Sequence, residues 1–254
     1  MADLERAVFL SDLNEIPSGE WSRLYFGAEF CPWHFPSTDL LLRFVALGHQ
    51  AVLPVTIATP ILNETFLPCF KAQMKQLLPL LSAGDEILAS DLGTIRLIRQ
   101  LSTEVPLVAG RLLSGQKRGP RILDLDLNDA ERDYFRQGRW YQSGAHSFLA
   151  EQGVGRVELD NLLQGVAPLP PPLVGSLHLP YAMVTSSRNC PVRRPGEYGP
   201  CPGGCDSVLK LTSRQTDIPL YQVGNTQFLH NAVIPKGVSD LRIDRIVQHS
   251  ALPR

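Results

Sequence analysis

Five cysteines stand at positions 31, 69, 190, 201 and 205. Cys190, Cys201 and Cys205 fall in the stretch "NCPVRRPGEYGPCPGGC", which also holds four prolines and four glycines. Such a stretch suits neither a helix nor a strand, because proline lacks the amide donor and glycine costs backbone entropy. Three thiols in a loop can be structural, redox-active, or ligands that lack a fourth. Zinc favours close cysteine pairs from two knuckles, and only Cys201 and Cys205 make such a pair. Iron–sulfur clusters take thiolate ligands and accept a distant fourth. Prolines and glycines between ligands would let the backbone wrap a cluster. Cys31 follows an expected strand at the end where α/β proteins bind ligands, so it is equally consistent with a core position and a ligand. Cys69 lies in an apolar helical pattern and reads as a small buried hydrophobe.

An odd number of thiols excludes complete internal pairing. The N-terminal stretch carries acids early and has no basic segment followed by an apolar one. It is therefore read as lacking a signal peptide, and the expected location is cytoplasmic. Clustered cysteines there more often bind metal or do redox work than form disulfides. Over 254 residues the formal charge is −1, with 44% hydrophobic and 19% charged residues. That balance supports a sizeable core and argues against a nucleic-acid partner. No apolar run is long enough for a membrane span.

Other residues are weaker candidates. Arg188, Arg193 and Arg194 flank the cysteine loop, where they could offset thiolate charge, bind an acidic molecule, or simply be solvated. Asp91 precedes a helix and is expected to cap it. Glu158 and Asp160 alternate with apolar residues, so they share one face of a strand. A solvated or salt-bridged role is at least as well supported as a catalytic one. His34, His49, His178 and His230 show no metal-binding spacing and read as structural, although His34 is near enough to Cys31 to touch a ligand there. No Gly-x-Ser-x-Gly elbow and no arguable Ser–His–Asp order is present, so hydrolysis is unsupported.

Short apolar runs alternate with helical patterns in the first part of the chain. "AVFLS", "RLYFG", "AVLPVTI", "DEILASD", "VPLVAG" and "VGRVELD" read as strands. "STDLLLRFVALGHQ" reads as a helix capped by Ser37 or Thr38 and stopped at Gly48. "ETFLPCFKAQMKQLLPLLSAG" and "LGTIRLIRQLS" read as further helices. This alternation predicts a parallel sheet with right-handed crossovers, either closed or doubly wound. No Gly-x-Gly-x-x-Gly follows the first strand, which disfavours dinucleotide binding. "LDLDLNDAERDYFRQG" predicts an extended piece and a short helix capped by Asn128 or Asp129. "GVAPLPPPLVG" reads as a connector, and "SLHLPYAMVTS" as one strand delivering Cys190. "SVLKLT", "DIPLYQVGN", "QFLHNAV" and "LRIDRIVQH" then predict a small antiparallel layer.

The ordered segments "RLYFGAEFC", "VLPVTIA", "EILASDLGTIRLIRQL", "VPLVAG" and "LHLPYAMVTSSRNC" with "CPGGC" resemble the collagenase-like peptidase family U-thirty-two (U32). The resemblance implies an incomplete TIM-like (β/α) barrel with a C-terminal β-rich segment. It implies one domain over 1–254, with a cysteine-rich loop at 187–206 and the β-rich segment at 207–254. It also implies a 4Fe-4S cluster on Cys31, Cys190, Cys201 and Cys205. The branch most similar to this chain implies oxygen-independent hydroxylation of a ubiquinone precursor by a heterodimer with a UbiU-like paralogue; related members hydroxylate RNA bases with prephenate as oxygen donor, which makes prephenate a candidate partner here beside the quinone precursor. Hydroxylation of RNA bases, and a subunit whose cluster is purely structural, are the alternatives. The chain departs from the family pattern over Leu112–Gly153, and it ends soon after "LRIDRIV", where a final helix is expected to be absent.

Overall fold

The computed structural model describes residues 4–194, 199–201, 203–205 and 207–253. The expected loop at 187–206 therefore lies partly outside the described residues. β1 (Glu5–Phe9) runs into β2 (Arg23–Gly27) through a loop without a helix. α1 (Thr38–Gln50) begins where Ser37 accepts the Leu40 amide, as the capping preference predicts. Gly48 does not stop this helix. It is buried within it, where a Cβ would lie 2.2 Å from the Val55 side chain, so its role is close packing against the sheet.

β3 (Val55–Ala58), α2 (Leu67–Leu77), β4 (Glu86–Ala89), α3 (Leu92–Leu101) and β5 (Leu107–Ala109) continue the alternation. Asp91 caps α3 by accepting the Thr94 amide at 2.6 Å, and it also takes the Leu62 amide at 2.6 Å. Cys69 corrects its expected core position. The buried face of α2 is Phe70, Gln73, Met74 and Leu77, and Cys69 falls off that stripe and is exposed.

The segment that departs from the family pattern supplies no strand among the described residues. A 3-10 turn, Pro120–Asp124, takes up the first two residues of the expected extended piece, and Leu125 after it has extended backbone but joins no sheet. α4 (Asp129–Arg136) follows with a capping box between Asn128 and Glu131, and buries none of its residues. α5 (Ser143–Glu151) leads into β6 (Arg156–Asp160). The proline-rich connector then leads into β7 (Val174–Leu179).

"SLHLPYAMVTS" is not one strand. The chain changes sheet at Pro180, giving β7 to one sheet and β8 (Tyr181–Ser186) to another. β9 (Leu209–Ser213), β10 (Thr216–Val223) and β11 (Thr226–His230) join β8 in an antiparallel sheet of order β8-β11-β10-β9. β12 (Ile243–His249) was expected in that small layer but returns to the first sheet, inserted parallel between β1 and β7. Ile243 and Ile246 face the outer core, while Arg245 and His249 flank Val247 inside the barrel, which suits a strand with a largely polar inner face better than an edge of the small sheet.

The main sheet is a closed parallel barrel of order β1-β12-β7-β6-β5-β4-β3-β2. The fold is thus a TIM-like α/β barrel with a separate antiparallel sheet. What is incomplete is the helical ring rather than the strand circle. Among the described residues no helix covers the β1–β2 and β6–β7 crossovers, and the small sheet stands in for the helix between β7 and β12.

Outward side chains such as Leu24, Phe26, Ile57 and Ile87 pack against Phe44, Phe70, Met74 and Ile98 of the helices. Inward, Ala7, Phe9, Tyr25, Ala58, Leu88, Val108 and Val247 form a separate small core. The two sets alternate along β1 to β5, as the pleat requires, whereas β6 and β7 turn polar residues such as Glu158 and His178 inward.

Gly27 ends β2 at a tight approach. Its φ is +137°, and an added Cβ would sit 2.0 Å from the Ala58 carbonyl oxygen. Gly27→Ala should therefore destabilise the barrel by at least about 2 kcal/mol, measured by denaturant unfolding, because both backbone conformation and space oppose a side chain.

Candidate functional site

The loop after β2 carries Cys31, and the loop after β8 carries Cys190, Cys201 and Cys205. Together with the turn between β10 and β11 they enclose a cavity of about 1030 Å³. All four cysteines line it, as do His34, Arg188, Arg193 and Arg194. The cysteines are not disulfide-bonded. Among the described residues, no three His, Cys, Asp or Glu side chains converge on one metal-ion position. Cys190 reaches this place from the small sheet, not from a barrel strand as expected, so the cavity lies between the barrel's C-terminal rim and the inserted sheet.

Local contacts explain how distant segments meet. Cys31 caps a 3-10 turn, Pro32–His34, and its carbonyl accepts the His34 amide at 3.2 Å. That turn aims the His34 ring across the cavity, where Nε2 lies 2.8 Å from the Cys205 sulfur. The His34 ring thus contacts the thiol of the distant Cys205. Asn225 joins the two cysteine-bearing loops. Its side-chain amide donates to the Phe30 carbonyl at 2.9 Å and to the Ser187 carbonyl at 2.8 Å. Burial pushes the Cys31 thiol up, against the Trp33 and His34 backbone amides that favour its thiolate. A cationic centre in the cavity would reverse that balance.

Beneath the cavity, Arg111 is fully buried and pairs with Glu29 and Asp160. Its Nη1 donates to Asp160 at 3.1 Å and to the Tyr181 carbonyl at 3.1 Å. Arg118 donates twice to the other Asp160 oxygen, at 2.9 and 2.8 Å, and the Met183 amide donates to the first at 2.9 Å. Glu29 lies just before Cys31, Asp160 ends a barrel strand, and Tyr181 and Met183 belong to β8. One ionic cluster therefore ties the loop carrying Cys31 to both sheets. Burial would raise the Asp160 carboxyl, yet Arg118 and Arg111 hold it below the usual carboxylate range.

Glu158 sits inside the barrel, fully buried, with His178 Nε2 at 2.5 Å and the Tyr25 hydroxyl donating at 3.0 Å. Burial again opposes ionisation, but His178, Arg245 and Arg156 bring this carboxyl down to about 2. A ring of charge closes the opposite end of the barrel. Arg245 pairs with Glu5 and Glu86, and Arg23 with Glu5.

His49 pairs with Asp85 at 2.8 Å, and the His230 ring meets Tyr181 edge-on. Sequence reasoning did not single out Arg111, Asn225, Arg245 or His249. Arg245 and His249 stand four residues apart and so share a face of β12, but polar and apolar residues come there in pairs and give no clean alternation. Arg111 and Asn225 lie in loops, where no periodicity exists.

These features define a TIM-like α/β barrel with a thiol-lined cavity on its C-terminal rim. A solved structure described as "The Structure of the U32 Peptidase Mk0906" is similar over 99% of this chain and 94% of its own, at 11% identity and a TM-score of 0.48. The assignment of the fold rests on the closed barrel itself and not on that likeness. No family model and no curated protein matches the chain.

Removing Arg111 leaves two buried carboxylates without their shared cation. Arg111→Met should cost about 3–5 kcal/mol in denaturant unfolding, and Arg111→Lys should not restore it, because an ammonium cannot span both partners. A depressed carboxyl stabilises the fold fully above its unfolded value and loses that contribution as pH falls through its folded value. For Glu158 that window runs from 4.5 down to about 2. The difference in Tm between the native chain and Glu158→Gln should therefore shrink steadily as pH is lowered across that window.

Proposed function

We propose that the chain holds a 4Fe-4S cluster on Cys31, Cys190, Cys201 and Cys205. With a UbiU-like paralogous partner it would serve the oxygen-independent hydroxylation of a ubiquinone precursor, as a cytoplasmic UbiV-like member of the U32 family. One observation carries this reading. Four thiols spread between positions 31 and 205 line a single cavity, whereas Cys69 is left on the outside of α2.

The donor set fits the group. A cluster offers each thiolate its own iron, which suits four thiols distributed around a cavity better than a single ion does. His34 stands against the Cys205 sulfur and can hold it in place. Arg188, Arg193 and Arg194 line the same cavity, and their charge offsets that of thiolates. When bound, such a cluster supplies one-electron transfer. The arginines and Asn63, on the same wall, are the groups available to orient an acidic small molecule such as prephenate.

A second reading is favoured by the position of the cavity between barrel rim and small sheet. There a cluster would pin the sheet to the rim, and the partner would perform the chemistry.

Anaerobically purified protein should contain about four irons and four acid-labile sulfides per chain and show a brown visible spectrum. Cys201→Ser should lose most of both, and Cys69→Ser should lose neither. Zinc in place of iron would overturn the reading. If Cys201→Ser also unfolds the chain, the structural role is favoured. If it folds but no longer supports hydroxylation with the partner, the redox role is favoured. Co-purification with a barrel paralogue tests the heterodimer.

A further inference from the structure

A second cavity, of about 410 Å³, opens at the C-terminal mouth of the barrel. Phe9, Asp12, Gly27, Val223, His249 and Leu252 are among its walls, so it is mainly apolar with few polar groups. It shares Val223 with the cysteine cavity but contains none of the four thiols.

His249 is its connection to the interior. The ring stacks on Phe9 with centroids 4.8 Å apart and planes 18° apart, which locks its orientation. Its Nε2 lies 2.8 Å from His178 Nδ1, and His178 Nε2 lies 2.5 Å from Glu158. A continuous file of hydrogen-bonding groups thus runs from a buried carboxylate to the cavity wall. The far nitrogen of the file, His249 Nδ1, has no partner among the described residues. Nor is it one of the sealed, unpaired polar atoms of the structure. A ring nitrogen left unpaired on a cavity wall, when the other is bound to a relay, is free to exchange a proton with a ligand.

We propose that the barrel mouth is a second site, in which His249, backed by His178 and Glu158, exchanges a proton with the hydroxyl of a small, mainly apolar ligand such as a phenol or enol. In the forward direction the ligand O–H bond breaks and an N–H bond forms at His249 Nδ1. The proton on His249 Nε2 passes to His178 Nδ1. The resulting imidazolium is held against the Glu158 carboxylate, and the ligand oxygen keeps the electron pair. The reverse sequence returns the proton, so no oxidant or reductant is required.

The surroundings suit this role. Burial and the Arg111 charge hold His249 well below the ordinary histidine range, so the ring that faces the ligand is neutral. The charge of the transferred proton comes to rest beside Glu158, where the Tyr25 hydroxyl supplies a second hydrogen bond. Arg245 donates to that hydroxyl at 2.7 Å and keeps it oriented. Asp12 is the carboxylate on the cavity wall, and it is exposed, so solvent screens it from a ligand oxyanion.

The proposal does not depend on the cluster, and its test does not read iron. The probe is 2-fluoro-4-nitrophenol, buffered below its own ionisation point, with ¹⁹F NMR reporting its ionisation state. The whole purified chain should bind the probe saturably, and the bound population should be at least tenfold richer in phenolate than the free one. Glu158→Gln should still bind it but lose most of that enrichment. His249→Gln should abolish the enrichment. Should both variants misfold, ring ¹⁵N shifts of the unaltered protein decide: His178 and His249 must move together when the probe is added. No saturable binding, binding without enrichment in phenolate, or movement of neither ring would overturn the proposal. Enrichment that survives His249→Gln in a folded protein would overturn it as well.

Discussion

A guanidinium without solvent must be met by carboxylates, and the fold is arranged around that requirement at Arg111. Its partners are Glu29, from the loop that continues to Cys31, and Asp160, from the end of β6. It also holds the Tyr181 carbonyl at the start of β8. Buried ion pairs add little net stability, but breaking one is expensive. The cluster therefore contributes specificity: any arrangement that moves the Cys31 loop or the small sheet away from the rim strands a charge. The cysteine cavity is defined by the two bodies that this cluster joins.

The barrel interior shows the same logic. Its outer face is packed with aliphatic and aromatic side chains, as the helices require. Its inner face has a small apolar core between two polar layers. At one end Glu5, Arg23, Glu86 and Arg245 neutralise one another. Further along the axis, Glu158, His178 and His249 form a directed file that ends at the mouth. The first layer satisfies itself. The second leaves one nitrogen open, and that difference separates a structural polar layer from a site.

Much of the architecture was legible because periodicity reports burial. β2, β4 and β6 and the helices α1 to α3 stand close to where apolar spacing places them. The errors share a cause. Local rules favour a stop at Gly48, but a strand packs against it. The apolar pattern of α2 points Cys69 toward the core, yet the helix buries a stripe that misses it. The stretch from Ser176 to Ser186 reads as one strand because each residue suits a strand. Only the geometry of two sheets divides it at Pro180. Proximity along the chain favours β12 in the small layer, whereas closing the barrel needs a strand between β1 and β7.

By itself the sequence determined a strand–helix alternation that a closed barrel or a doubly wound sheet would satisfy, a loop too rich in proline and glycine to be regular, and an early thiol with no local partner. Residue type and spacing carry that information directly. That four thiols face one cavity was decided by the tertiary structure, because Cys31 and Cys190 meet only after the barrel closes and β8 folds back over its rim. The His178–His249 file was decided there as well. Its members are distant along the chain and become neighbours only because β12 pairs in parallel with β7. No local rule carries that pairing. It follows from the need to satisfy the last open edge of the sheet.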